Sequence, residues 1–244
     1  MKRKFADLHL CLNPKDSNST PRIMAKAAAL GYDLIAVPLN PDIPEAEISK
    51  FKSICNDAGA DFSSRVDLTP KTRKQLMFQL RKLRRKFEVI CVQCENKEVA
   101  RQAAKDRRVD LLSFPFLDFR DRFFDWAEAE LASNSLAALE VDTKPLLLLD
   151  GSKRIRLLST LRREISIARE FQVPIVVSSG VAKEILLRKP REVAAFASLL
   201  GFDEASALNT VSTIPSNIAL RNREKLSCGF VAPGIRVVKE GADC

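Results

Sequence analysis

The chain has 244 residues, 46% of them hydrophobic, and 40 Lys/Arg against 31 Asp/Glu give it a formal net charge of +9. That apolar share excludes a disordered tail protein, and no stretch reaches the roughly eighteen consecutive apolar residues of a membrane-spanning helix. Six cysteines at 11, 55, 91, 94, 228 and 244 are scattered rather than clustered, and the N-terminal Met1 to Asp7 enters a strand-like segment without an apolar leader; both features suit a cytosolic protein with reduced thiols.

Residues 5–10 read as a first strand. Ser19-Thr20-Pro21 then caps a helix whose apolar positions Ile23, Met24, Ala27 and Leu30 lead to Gly31 as its C′ glycine. Residues 33–38 form a second strand. Pro44 and Glu45 open a second helix, with Ile48, Phe51, Ile54 and Cys55 on its buried side and Gly59 at its end. A third strand spans 60–66, and Thr69-Pro70 begins a third helix reaching about Phe87. Strand four (89–94), helix four (98–107), strand five (109–113), a short helix (125–132), strand six (137–141), a long helix (153–171), strand seven (175–178) and a helix (191–200) follow.

Seven short apolar strands, each followed by a helix, form a (βα) series that either closes as a TIM-like barrel or opens as a doubly wound sheet. No Gly-x-Gly-x-x-Gly follows the first strand, and the whole chain has eight glycines. A dinucleotide-binding sheet is therefore the weaker choice. The expectation is a TIM-like α/β barrel of about seven parallel strands, the eighth weak or replaced, with function at the C-terminal ends of the strands. Two more short helices (201–209 and 215–225) and a tail with the apolar Gly234-Ile235-Arg236-Val237-Val238 follow. No linker divides the chain, so residues 1–226 are expected to form one domain and 227–244 an extension.

The charge is not evenly spread. Between Arg65 and Arg108 there are fourteen basic residues and five acidic ones, so the rest of the chain balances. Lys71 to Lys86 alone holds eight cations and no carboxylate, while Leu76, Leu80, Leu83 and Phe87 recur at helical spacing as its buried stripe. Eight like charges on one helix repel each other, and an anionic partner, either nucleic acid or an acidic protein surface, would offset that repulsion. A merely solvated basic face is the bland alternative. With fourteen Phe but one Trp (Trp126) and one Tyr (Tyr32), no aromatic RNA-recognition motif is present. Nucleic-acid binding would then run through phosphates and shape.

Several groups of residues suggest chemistry. Pro174-Ile-Val-Val-Ser178-Ser179-Gly180 is a buried strand ending in hydroxyls and a glycine, followed by Arg188, Lys189, Arg191 and a helix start at Pro190. Such an arrangement suits a phosphate, although an ordinary loop with solvated arginines has the same sequence appearance. Asp7, His9 and Cys11 share one strand face, which allows a metal site with Asp67, Glu95 or Glu140. His9 is the chain's one histidine, so a hydrolytic metal centre would rest on carboxylates, and a Ser-His-Asp triad would need His9 as its base. Cys91 and Cys94 lie three apart on one strand and so face opposite sides, which makes them packing residues rather than metal ligands.

Phe5-Ala-Asp-Leu-His9, Ala29-Leu-Gly-Tyr32, Ser178-Ser-Gly180, Leu187-Arg-Lys-Pro-Arg191, Leu199-Leu-Gly201 and Arg221-Asn-Arg223 together resemble the family of ribonuclease P protein component 3, the archaeal relative of the thirty-kilodalton subunit of eukaryotic ribonuclease P. The resemblance covers roughly residues 5–225. It implies a TIM-like barrel related to the PHP phosphoesterases, within an enzyme whose catalytic component is RNA and which removes the 5′ leader of precursor tRNA. It implies no catalytic residue and no metal in this chain, since Cys11 stands where PHP enzymes carry the second histidine of His-x-His. Mg²⁺ is expected for the RNA component. The implied partners are the ribonuclease P RNA, precursor tRNA indirectly, and a small ferredoxin-like subunit in a heterotetramer. Candidate RNA contacts are Arg154, Arg188, Lys189, Arg191, Arg221 and Arg223 near one end of the barrel, with Lys74, Arg81 and Arg85 as a second patch. The rival is a metal-dependent PHP-type phosphoesterase using Asp7 and His9.

Overall fold

A computed structural model of the chain describes residues 3–12, 19–115, 122–232 and 234–237. Its strands β1 (Ala6–Asp7), β2 (Leu34–Pro38), β3 (Asp61–Leu68), β4 (Val89–Gln93), β5 (Leu111–Ser113), β6 (Ala138–Asp142) and β7 (Ile175–Ser178) lie side by side in chain order. Every neighbouring pair is parallel. Each parallel step needs a crossover, and these are supplied by α1 (Ser19–Leu30), α2 (Glu45–Asp57), α3 (Arg73–Leu83), α4 (Lys97–Lys105), α5 (Trp126–Ser133) and the pair α6 (Lys144–Leu148) and α7 (Gly151–Glu170). After β7 come α8 (Pro190–Leu199), α9 (Glu204–Thr210) and α10 (Thr213–Leu226).

The barrel closes without an eighth strand among the described residues. At the C-terminal ends, Leu10 bridges to Val181, Cys11 N–H donates to the Val181 carbonyl and Gly180 N–H to the His9 carbonyl, each at 2.9 Å. At the other end Ala6 N–H donates to the Val211 carbonyl at 2.9 Å. The chain between α9 and α10 therefore occupies the gap, as an expected replacement of the last strand.

Two apolar layers hold this together. Inside the barrel, Ala6, Leu8, Leu34, Ala36, Val89, Cys91, Leu111, Ala138 and Val176 pack with Ile218 and Ala219 of α10, which lies as a plug across the N-terminal end. A larger layer between strands and helices includes Ile35, Val37, Ile90, Val92, Leu112 and Leu139 with Leu76, Leu80, Leu83 and Phe87. Cys91 lies in the inner layer and Cys94 in the outer one, as strand periodicity requires. Burial pushes both thiols up, and that of Cys55 to about 12, so these three are inert packing groups.

Some boundaries differ from the sequence expectation for local reasons. β3 runs on to Leu68, which leaves Thr69 and Pro70 in a loop; Thr72 caps α3 instead, its hydroxyl accepting from Gln75 N–H at 3.2 Å. The short α6, with Pro145 in its first turn, was not anticipated. The apolar tail stretch forms β9 (Ile235–Arg236), antiparallel to β8 (Phe230–Ala232). Arg236 ties this hairpin to Glu224 of α10 at 2.8 Å. Val238 and Cys244 lie outside the described residues.

Candidate functional site

Alternation along the strands sends Arg65 of β3, Glu140 of β6 and Ser178 of β7 into the barrel lumen just beneath its C-terminal mouth. Arg65 is fully buried, with 0% exposure. Its Nη1 and Nη2 each donate to one oxygen of Glu140 at 2.6 Å, its Nε to Asp67 at 2.6 Å, and Nη1 also to the Leu8 carbonyl at 2.7 Å. Glu140 additionally accepts from the Ser178 hydroxyl at 2.8 Å and the Cys91 thiol at 3.5 Å. Burial alone would raise the Glu140 carboxyl, but the Arg65 guanidinium, His9 and Ser178 outweigh it and hold the group at about 2.

Directly above sits His9. Its Nδ1 donates to Asp142 at 2.9 Å, and its Nε2 lies 3.1 Å from the Cys11 sulfur and 3.6 Å from Asp67. Burial and the Arg65 guanidinium oppose a charge on the imidazole. The contacts to Asp142 and Cys11 overcome both and place its pKa well above the ordinary histidine value. Asp142 fits against the chain because Gly180 has φ +64 and no side chain; a Cβ there would lie 2.7 Å from the Asp142 Cγ.

This arrangement does not fit a divalent ion. Ligand atoms of His9, Glu140 and Asp142 do fall within 4.8 Å of one another. Both oxygens of Glu140, however, already face the Arg65 guanidinium, and Asp142 already accepts from the His9 ring. An ion placed among them would sit beside the fixed charge of Arg65, with its carboxylates already engaged. Of the other carboxylates considered, Glu95 lies at the surface with Lys71. Asp7 turns aside altogether: its Oδ1 accepts from the backbone N–H of Ser179 at 3.0 Å and of His9 at 3.1 Å, while its buried Oδ2 has no partner among the described residues. Burial raises its pKa. Asp7→Asn keeps the accepting oxygen and removes a poorly placed charge. Its Tm at pH 8 is therefore expected to equal or exceed that of the wild type in a thermal melt, whereas a metal-ligand role would make the substitution costly.

The expected phosphate cradle is also absent. The Ser178 hydroxyl serves Glu140, the Ser179 N–H serves Asp7, and the Ser179 hydroxyl and Gly180 N–H both serve the His9 carbonyl. Those donors close the barrel and are not offered to a ligand. Beside them a cleft of about 190 Å³ opens between β6 and α7, lined by His9, Phe114, Arg122, Asp142 and Leu161 among others. Arg122 is itself held by Glu164 at 2.6 Å.

The basic candidates separate into three places rather than the two expected. Arg154 begins α7 and Arg188, Lys189 and Arg191 begin α8, so all four lie on the mouth side. Arg154 donates to the Leu149 carbonyl, and Arg188 to the carbonyls of Ile185 and Leu187 at 2.9 Å. Arg221 and Arg223 lie at the opposite end, which corrects their grouping with the first four. Arg221 pairs with Asp110 at 2.9 Å, while Arg223 bridges Asp61 at 2.5 Å and Glu88 at 2.9 Å. They clasp α10 to the N-terminal ends of β3, β4 and β5. On α3 and in the turn after it, Lys74, Arg81 and Arg85 are exposed and have no ion pair among the described residues.

Sequence reasoning did not single out Arg65, although a cation at the centre of a strand otherwise due for burial, two residues from Asp67 on the same face, was a readable signal. Its pairing with Glu140 was not readable, because it joins strands 75 residues apart across the lumen.

A family model described as RNase P subunit p30 matches residues 4–227. The ribonuclease P protein component 3 of Methanosarcina mazei is 31% identical over 242 residues, covering 99% of this chain and 98% of that protein. A chain in the cryo-EM structure of archaeal ribonuclease P with mature tRNA superposes with a TM-score of 0.84 at 23% identity, covering 96% of this chain and 99% of that one. The barrel also resembles that of the histidinol phosphate phosphatase of Lactococcus lactis, solved with zinc, L-histidinol and phosphate, at a TM-score of 0.51 and 13% identity over 82% of this chain and 95% of that one.

Proposed function

This chain belongs to the RNase P subunit p30 family and is a protein subunit of ribonuclease P, and we propose that within that enzyme it binds and supports the catalytic RNA while performing no chemistry of its own. The observation that carries this reading is the Arg65–Glu140 pair, which places a fixed protein cation in the one cluster suited to a metal among the described residues. Meanwhile the surplus positive charge of residues 65–108 faces outward, much of it unpaired.

In this reading Arg154, Arg188, Lys189 and Arg191 on the mouth side, and Lys74, Arg81 and Arg85 on α3 and the turn after it, meet RNA phosphates, and Mg²⁺ serves the RNA component. Precursor tRNA is engaged through the assembled particle. A small ferredoxin-like subunit joins this chain in a heterotetramer, in the cytoplasm. No helix among the described residues is long and apolar enough to cross a membrane.

Reconstitution tests the proposal: precursor tRNA cleavage by the RNA component should depend on adding this chain with its partner subunit. Cleavage by the chain alone would overturn it. Reversing charge at Arg188 and Arg191 is expected to weaken association with the RNA and to reduce the slope of log K against log salt by about 0.9 for each phosphate no longer neutralised. An unchanged slope in a salt-titrated binding assay would remove the mouth-side patch from the interface.

A further inference from the structure

We infer that the outward side of α3 and the turn after it, Lys74–Phe78–Arg81–Arg85, binds an unpaired stretch of RNA, with a base stacked on the Phe78 ring and the adjoining phosphates on the three cations. This rests on the reading of the chain as an RNA-binding subunit, and it adds the surface and the form of nucleotide that surface takes.

Lys74, Phe78 and Arg81 follow one another at spacings of four and three, so they share one face of α3, opposite the buried Leu76–Leu80–Leu83 stripe, and the exposed Arg85 lies in the turn just past the helix end. The cations of this segment fall into two sets. Lys71 pairs with Glu95, Lys82 with Asp42, Arg84 with Asp110, and Lys86 reaches the Pro41 carbonyl. Arg73, Lys74, Arg81 and Arg85 have no such partner among the described residues. Three of these four, Lys74, Arg81 and Arg85, lie on the side of Phe78, a residue that is 68% exposed.

Single exposed hydrophobic residues are common and need no explanation. A phenyl ring standing between three unneutralised cations is a different arrangement, because it offers a flat apolar face and anion-binding groups within one reach. The distance from Lys74 to Arg81 is about 10 Å along the helix axis, enough for consecutive phosphates, and Arg85 extends the row past the helix end. Next to the ring, Met77 and the stems of Arg73 and Lys74 line an open cleft of about 490 Å³, bounded by Glu98 of α4. Bases within a duplex keep their faces covered by stacking, so a ring in this position recognises an unpaired base. No acidic residue occurs from Lys71 to Lys86, so the segment itself is complementary to a phosphate chain, with Glu98 of α4 at the edge of the cleft. The stacking motifs absent from the sequence are those of β-sheet RNA-binding modules, and a lone Phe on a basic helix carries no such signature.

The test uses the full chain and transcribed ribonuclease P RNA in a binding assay at several salt concentrations. Phe78→Ala should weaken binding about five- to one-hundred-fold with the salt slope unchanged, since stacking releases no counterions. Phe78→Trp should keep the affinity, and the added indole emission should be quenched by RNA. Lys74→Gln with Arg81→Gln should lower the slope by about 1.5. If Phe78→Ala binds as the wild type does while the double variant is weakened, the stacking proposal falls and the RNA-binding reading stands. If all three variants bind RNA normally, and the double variant instead loses an acidic protein partner, α3 is a protein-docking face and the proposal falls. If the wild-type chain ignores the RNA at low salt, the underlying reading fails first. All substituted side chains lie at the surface, so melts matching the wild type confirm that folding is unaffected.

Discussion

Glu140→Ala is expected to destabilise the fold by about 3–5 kcal/mol, because it strands the Arg65 guanidinium in the barrel lumen with two of its four hydrogen bonds lost. Arg65→Ala should cost a similar amount, leaving Glu140 and Asp67 to face each other without a cation. Replacing both with apolar residues of like volume, Arg65→Met with Glu140→Leu, should cost less than either single change, since the penalty is that of an unmatched buried charge rather than of a missing attraction. Urea unfolding followed by circular dichroism measures all three. The pH dependence has a fixed sign. Glu140 is held at about 2, below its ordinary value of 4.5, so its contribution is complete above 4.5 and is lost as the pH falls towards 2. His9 acts in the opposite sense. Its pKa is raised in the fold, so its contribution is complete below the ordinary value of 6.5 and fades as the pH climbs through the raised one. Titrating zinc into the wild-type protein should leave its Tm unchanged, whereas Arg65→Ala, with His9, Glu140 and Asp142 around the vacated space, should gain stability from the ion. A wild-type Tm that rises with zinc would contradict the fixed-cation reading.

The barrel was legible in the sequence because it depends on local periodicities: short apolar strands, helix starts near Ser19 and Pro44, C′ glycines at Gly31 and Gly59, and a glycine count too low for a nucleotide-binding sheet. The opposite facing of Cys91 and Cys94 was legible for the same reason, since a period of two is written into any strand. What was not legible depends on closure. Ser178, Ser179 and Gly180 have the composition of a phosphate loop, and their donors were unassigned until β7 met β1 and gave them Glu140, Asp7 and the His9 carbonyl as partners. Likewise Asp7 and His9 share a face in an ideal strand, but the chain bends after β1. Asp7 then caps its own backbone while His9 alone turns to the mouth. The sequence told where the cations were, and only the tertiary contacts separated those already neutralised from those left open.

That separation is sharpest at Asp110, the acceptor for four donors at the N-terminal end of the barrel. It is 1% exposed. Its Oδ1 accepts from Arg221 at 2.9 Å and from the Asn222 amide at 2.7 Å, and its Oδ2 from Arg84 at 2.5 Å and the Ile90 N–H at 2.9 Å. Asp110→Ala takes the shared carboxylate from Arg84 and Arg221 and leaves the Asn222 amide and the Ile90 N–H unmatched at one buried point, so a loss of about 3–5 kcal/mol is expected, approaching the whole stability of many domains. Asp110→Asn keeps the shape and one acceptor and should cost less. Because the Asp110 contacts hold α10 against the ends of the strands, the damage should extend to the inner layer beneath Ile218 and Ala219, visible as loss of amide-exchange protection in β4 and β5. The same geometry predicts how Arg221 behaves. Arg221→Gln should lower the Tm while leaving both RNA affinity and the salt slope where they were, because its charge is directed into the clasp. A slope reduced by about one with an unchanged Tm would mean that Arg221 leaves Asp110 for a phosphate, and the clasp would then be a resting state rather than a fixture.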